Sequence, residues 1–118
     1  MTNHADLSRQ LALALGYYPE SVRVDKKHDF CEVYGAGAGN PRCMRLEWTG
    51  WDIFDYREPD VCLPLIKWLM VEHNSVARTL CGRFAVGIAG TDTKPWRDHL
   101  ADTLELAVAR AVIAVGVR

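Results

Sequence analysis

The stretch that most constrains this chain runs from Trp48 to Met70, WTGWDIFDYREPDVCLPLIKWLM, and it holds three of the four tryptophans. It passes from an alternating aromatic run, through Arg57-Glu58-Pro59-Asp60, into the most apolar helical pattern of the sequence. In an extended Trp51–Tyr56 run, Trp51, Ile53 and Asp55 face one way and Asp52, Phe54 and Tyr56 the other. A residue preceding proline is pushed towards extended backbone, so the strand should end before Pro59. Asp60 is the expected N-cap of the following helix. Pro64 is expected in or beside its first turn, where a missing amide hydrogen costs little. Cys62, Leu65, Ile66, Leu69, Met70 and His73 make one stripe. Val61, Trp68 and Val71 widen the apolar surface to nearly all round, so this helix is expected to be largely buried.

The flanking segments add two helices and further strands. Leu7, Leu11, Ala14 and Leu15 fall on one helical face, with Asn3 or Asp6 as the start signal and Gly16 as the stop. Ser21–Asp25 and Phe30–Tyr34 alternate and read as a hairpin. Phe30, Glu32 and Tyr34 lie opposite Cys31 and Val33. Arg42–Trp48 reads as a third strand and Trp51–Tyr56 as a fourth. Val76–Leu80 and Arg83–Ile88 form a second hairpin around Cys81-Gly82. Gly90–Ala101 is polar and expected to be a loop. Asp102 and Glu105 resemble a capping box, and Leu104, Ala107, Val108, Ala111, Val112 and Val115 line the last helix. The expected order is α-β-β-β-β-α-β-β-α. It describes a single α+β domain over residues 1–118, two layers deep, with a mainly antiparallel sheet packed by three helices.

Composition narrows the function classes. Apolar residues make up 49% and charged residues 25% of the 118, values typical of an ordinary folded domain. The net charge of −1 disfavours direct nucleic-acid binding by the whole surface. No apolar run approaches the roughly 20 residues that span a bilayer, and the polar N-terminus lacks a signal-peptide core. The expected location is cytoplasmic, with no membrane partner. Cys31, Cys43, Cys62 and Cys81 lie in apolar stretches without Cys-x-x-Cys or histidine spacing. Buried free thiols are favoured over a disulfide framework or a zinc site. No cofactor motif is present. The loop Gly35–Pro41 lacks the Gly-Lys-Ser/Thr ending of a phosphate cradle and is better read as a strand connection.

One constellation stands out. Glu47, Asp52, Asp55, Glu58 and Asp60 lie within a short span, interleaved with Trp48, Trp51, Phe54 and Tyr56. Exposed tryptophan and tyrosine make strong interface anchors, and carboxylates around them would steer a basic partner. The candidate partner-binding residues are Glu47, Trp48, Trp51, Asp52, Asp55, Tyr56, Arg57 and Glu58. The competing reading places the aromatics in the core and leaves the acids as a solvated rim. A basic group, Arg23, Lys26, Lys27, Arg42 and Arg45, offers a phosphate-binding alternative. Arg42 and Arg45 are three apart, however, and face opposite sides of a strand. Trp96, between Lys94-Pro95 and Arg97, could stack on a base. No nucleophile elbow or paired-carboxylate geometry supports catalysis, and His73 is better read as a helix-end residue than as a general base.

Several of these segments together resemble small NinX-like accessory proteins of tailed phages and prophages. The shared residues are Ala14-Leu15-Gly16, then Trp51, Phe54-Asp55-Tyr56, Pro59 and Leu63-Pro64-Leu65-Ile66. The helix Leu106-Ala107-Val108-Ala109-Arg110-Ala111-Val112-Ile113 completes the pattern. Phe84 stands where such relatives often carry tryptophan, and the glycine-rich loop and Cys62 have no counterpart. The resemblance implies a setting and no chemistry: a phage or prophage protein of unknown function in a bacterial host cell. Proteins in that setting include inhibitors of host defence such as anti-CRISPR proteins. The resulting expectation is a non-enzymatic, cofactor-free protein that binds a host protein such as a nucleic-acid-binding defence component. The alternatives are a small nucleic-acid-binding regulator and a small enzyme acting on a nucleotide or peptide. A homodimer through Leu106 and Ile113, which lie off the main stripe of the last helix, is a further expectation.

Overall fold

The structure is a computed structural model, and it describes residues 3–34, 50–88 and 96–115. Three helices alternate with strands: α1 (His4–Ala14), a 3-10 turn (Pro19–Ser21), β1 (Val22–Asp25), β2 (Phe30–Tyr34), β3 (Trp51–Ile53), α2 (Pro59–His73), β4 (Val76–Leu80), β5 (Arg83–Ile88), β6 (Arg97–Ala101) and α3 (Leu104–Val115). The class is α+β, and every strand pairing among the described residues is antiparallel. The expected strand over Arg42–Trp48 lies outside the described residues.

Two differences from the expected topology have physical causes. The strands pair as two separate sheets, β1-β2-β3 and β4-β5-β6, where one sheet was expected. The long α2 lies between them in sequence and interrupts the ladder. Arg97–Ala101 is a strand, although its residues read as loop. Its RDHLA sequence carries little alternation, and its conformation comes from pairing with β5, Phe84 opposite Ala101 through Ile88 opposite Arg97. Tertiary pairing of this kind overrides a weak local preference.

Helix ends show how side chains set boundaries. Asn3 caps α1 by accepting the Asp6 amide at 3.2 Å. Asp29, at the end of the β1–β2 turn, accepts the Ala5 amide at 3.0 Å and ties that hairpin to the first turn of α1. Asp60 is not the cap of α2. The helix starts at Pro59, with Glu58 as N-cap in extended backbone. Two prolines five residues apart cannot both occupy a first turn. Pro59 takes the favoured position, which leaves Pro64 inside the helix and forfeits one backbone hydrogen bond, a cost of about 3 kcal/mol. The chain offsets this by burying Val61, Cys62, Leu65 and Leu69 on one side of α2. At α3 the capping hydroxyl belongs to Thr103, which accepts the Leu106 amide at 3.3 Å. Asp102 instead pairs with Arg83 at 3.2 Å.

The core gathers around α3. Its buried residues Ala107, Val108, Ala109, Ala111 and Val112 meet α1, α2 and the inner face of the second sheet. On the first sheet, Cys31 and Val33 point inward, towards α1. Leu106 and Ile113 are partly buried and also pack against this core. The outer face of the second sheet holds a close backbone approach. Trp96 lies over Gly87, its indole N–H donating to Asp98 Oδ1 at 3.2 Å. A Cβ on Gly87 would overlap the indole, lying 2.8 Å from Cε2 and nearer still to Cζ2. Glycine in a strand often marks such an approach. Gly87→Ala should therefore destabilise the fold by about 1–3 kcal/mol. Most of that loss should vanish in a Trp96→Ala background, as a double-mutant cycle by denaturant unfolding would show.

Candidate functional site

The first sheet presents an outer face that no helix among the described residues covers. The register lines up Arg23, Glu32 and Ile53 across the three strands and sets Tyr34 opposite Trp51. Because side chains alternate, these five residues share one face while Cys31 and Val33 point into the core. Trp51 is 37% exposed and Ile53 is 60% exposed. The Arg23 guanidinium sits over the Trp51 ring, 4.1 Å from its centroid, and its Nε donates to Glu32 Oε1 at 2.9 Å. Tyr34 meets the other ring edge-on, with centroids 5.6 Å apart. Two neighbours, Arg23 and Tyr34, thus hold the indole in one orientation, with Glu32 fixing the arginine, while part of the ring stays in solvent. A rigid, partly exposed aromatic loses little conformational freedom when a partner covers it.

The chain then leaves the sheet and changes role within one residue. The Phe54 amide donates to the Cys31 carbonyl at 2.8 Å, and the Phe54 side chain is fully buried, edge-on to Tyr17. Tyr56 was expected to bind a partner, but it is 3% exposed and belongs to the core. Its amide donates to Ser8 Oγ, and its hydroxyl lies 2.6 Å from His4 Nδ1. Burial raises the Tyr56 phenol above its ordinary value. The expected strand therefore stops at Ile53 because the next apolar side chains are drawn off the sheet and under α1.

Asp55 acts as the organiser of the turn that follows. Its carboxylate accepts the Arg57 amide at 2.9 Å, Nε at 2.9 Å and Nη2 at 2.6 Å. Its carbonyl accepts the Glu58 amide at 3.0 Å. Burial alone would raise the Asp55 carboxyl, but the Arg57 hydrogen bonds and charge outweigh it and hold it below the ordinary 3.8. Asp52, Arg57 and Glu58 are exposed. Glu47 and Trp48 lie outside the described residues. Of the eight candidate residues, the structure thus brings Trp51, Asp52, Asp55, Arg57 and Glu58 to the surface or its rim and removes Tyr56 to the core. Arg23, Glu32, Tyr34 and Ile53 join the surface. Their alternation was visible, but which strand would pair beside β2 was not.

A scan against models of protein families finds no match, and searches of curated proteins and of solved structures find none either.

Other candidates sort by burial. Arg23 is committed to Glu32 and Trp51; Arg42 and Arg45 lie outside the described residues. Cys31 and Cys62 are buried, and burial pushes the Cys31 thiol up to about 11. Cys81 is exposed in the β4–β5 turn, contrary to expectation, and Cys43 lies outside the described residues. Among the described residues no group of three or more His, Cys, Asp or Glu side chains is placed to hold a metal. His73 ends α2 and meets Trp68 edge-on at 4.8 Å.

A second apolar surface was not expected. This helix was expected to be largely buried, yet Leu63 is 62% exposed and Val71 is 67% exposed. With Pro64, Lys67, Trp68 and Glu72 they border an open groove of about 560 Å³. A helix apolar on all sides can bury only the side for which a neighbour exists, and among the described elements α2 packs chiefly against α3.

Phe54→Ala should cost about 3–5 kcal/mol. Trp51→Ala should cost much less, about 1 kcal/mol, since only stacking on a partly exposed ring is lost. Chemical unfolding separates the two. Asp55 also carries a pH signature. Its folded-state pKa is depressed, so its contribution is fully present above the ordinary value of 3.8 and is lost as pH falls through the lower folded value. Asp55→Asn should flatten the acid limb of the stability profile below about pH 4, measured by urea midpoints across pH.

Proposed function

We propose that this is a phage or prophage accessory protein that acts in the cytoplasm of the bacterial host by binding a basic surface of another protein. An inhibitor of a host defence component that itself binds nucleic acid, in the manner of an anti-CRISPR protein, is the reading favoured here. The phage setting rests on the residues that resemble NinX-like proteins. The binding role rests chiefly on one observation: Trp51 is clamped by Arg23 and Tyr34 on a sheet face that no helix among the described residues covers.

Charge supports the choice of partner. Asp52, Glu58 and Asp60, on the segment that carries Trp51, are exposed and form no ion pair among the described residues, although the register sets Asp52 opposite Val33, on the other side of the strand from Trp51. Arg23, on β1 beside Trp51, and Arg57, in the turn after β3, are already paired with Glu32 and Asp55. Unpaired carboxylates beside a rigid aromatic would speed encounter with a basic protein and then let the indole and Ile53 supply the buried contact. Nucleic-acid-binding proteins offer such basic surfaces.

Affinity capture from a bacterial host extract tests this reading. The wild-type protein should retain a specific basic partner. Trp51→Ala should weaken retention by at least tenfold, about 1.4 kcal/mol, and Asp52→Lys should slow association. Phe54→Tyr, a core change, serves as a folding control. Retention indifferent to both surface changes would refute the assignment of this face.

A further inference from the structure

We propose that the protein forms a symmetric dimer in which β4 pairs antiparallel with β4 of a second copy. This goes beyond the proposed partner binding and uses a different surface. β4 lies at the edge of its sheet, pairing on one side with β5. All five of its residues, Val76–Leu80, are exposed.

The β4–β5 turn fixes which backbone groups are free. Cys81 and Gly82 both have positive φ, +53° and +76°, the signature of a two-residue hairpin turn. Leu80 and Arg83 flank it as a hydrogen-bonded pair, and hydrogen-bonded and non-hydrogen-bonded pairs alternate from there. Val76, Arg78 and Leu80 therefore spend their backbone groups on β5. The amides and carbonyls of Ala77 and Thr79 point out from the edge. Protected edges carry proline, a bulge, inward-pointing charge or a covering element. β4 carries none of these among the described residues. Its one charge, Arg78, is bound to Asp98 at 2.7 Å.

The sequence Val-Ala-Arg-Thr-Leu suits a second copy of itself. A two-fold axis through Arg78 sets Ala77 opposite the partner's Thr79, and the reverse, so both sets of free backbone groups meet. The same register sets Val76 opposite the partner's Leu80, and these are apolar residues at 51% and 38% exposure. Arg78 then faces its own image. Like charges in that position would oppose pairing, but each arginine brings its Asp98, so two guanidinium groups and two carboxylates form a neutral cluster. A register that matches every residue about one axis is what an isologous interface requires. The product is a continuous six-stranded sheet, β6-β5-β4 followed by the same strands of the second copy in reverse order.

Sedimentation equilibrium of the full chain tests the pairing. The wild-type protein should sediment at twice its monomer mass and dissociate on dilution. Ala77→Pro removes an edge amide that β5 does not use, so the fold should persist while dimer affinity falls at least about tenfold. Thr79→Lys, a charge of the kind that guards natural edges, should do the same, and circular dichroism checks that both variants fold. Amide exchange at Ala77 and Thr79 should slow as protein concentration rises, while exchange at Arg78 stays constant. A wild-type monomer at the highest soluble concentration would overturn the proposal. So would a dimer that survives both substitutions.

Discussion

Everything in this fold leans on the narrow, buried side of α3. Ala107, Ala109 and Ala111 alternate there with Val108 and Val112, and all five are closed to solvent. Small residues let neighbouring backbones come close, and valines fill the remaining space. Three different elements exploit this: α1, α2 and the β5–β6 half of the second sheet. The first sheet reaches α3 through α1, whose Leu11, Ala12 and Leu15 are buried between them. Two small sheets of three strands each would be weak alone, since so few strands need a packed apolar face to persist. A shared helix gives both sheets one core.

That arrangement explains why the Trp48–Met70 stretch divides where it does. Trp51 and Ile53 stay on the outer face of the first sheet because the inner face is already taken by α1. Phe54 and Tyr56, one and three residues beyond Ile53, are buried, Phe54 against Tyr17 and Tyr56 against Ser8 and His4 of α1. Asp55 lies between them and cannot follow. It binds Arg57 three ways instead and thereby fixes the turn that delivers Pro59 as the first residue of α2. Surface, core and turn are thus assigned to successive residues by what the neighbouring element has left open.

Local chemistry made much of this legible in the sequence. The α1 boundaries followed from Asn3 and Gly16, the β1–β2 alternation from Cys31 and Val33 opposite Phe30, Glu32 and Tyr34, and the second hairpin from Cys81-Gly82. What escaped depended on partners. Asp60 and Asp102 are good caps in isolation, but Glu58 and Thr103 hold the cap positions. β6 is a strand only because β5 offers a ladder. The role of Tyr56 turned on Ser8 and His4, some fifty residues earlier in the chain. The candidate surface was legible to the extent that Trp51 and its acidic neighbours were named. Arg23, Glu32 and Tyr34 could join it only once the strand pairing was known, because a register shift of one residue would have sent them to the other face.

The most informative mismatch is α2. Its sequence is apolar nearly all round, which normally signals full burial, yet Leu63, Met70 and Val71 face solvent. A small domain has too little interior to surround a central helix, so one side of α2 rests on α3 and the other remains open. Among the described residues β4 likewise has no covering element. Net charge offers little protection, since at −1 mutual repulsion between copies is weak. Apolar surface that the fold cannot enclose, an unguarded strand edge and near-neutrality all act in one direction: they favour contact with another chain. The Trp51 face and the β4 edge lie on different sheets, so a strand-paired dimer would keep both of its Trp51 surfaces available and present them twice to any partner with a repeated basic surface.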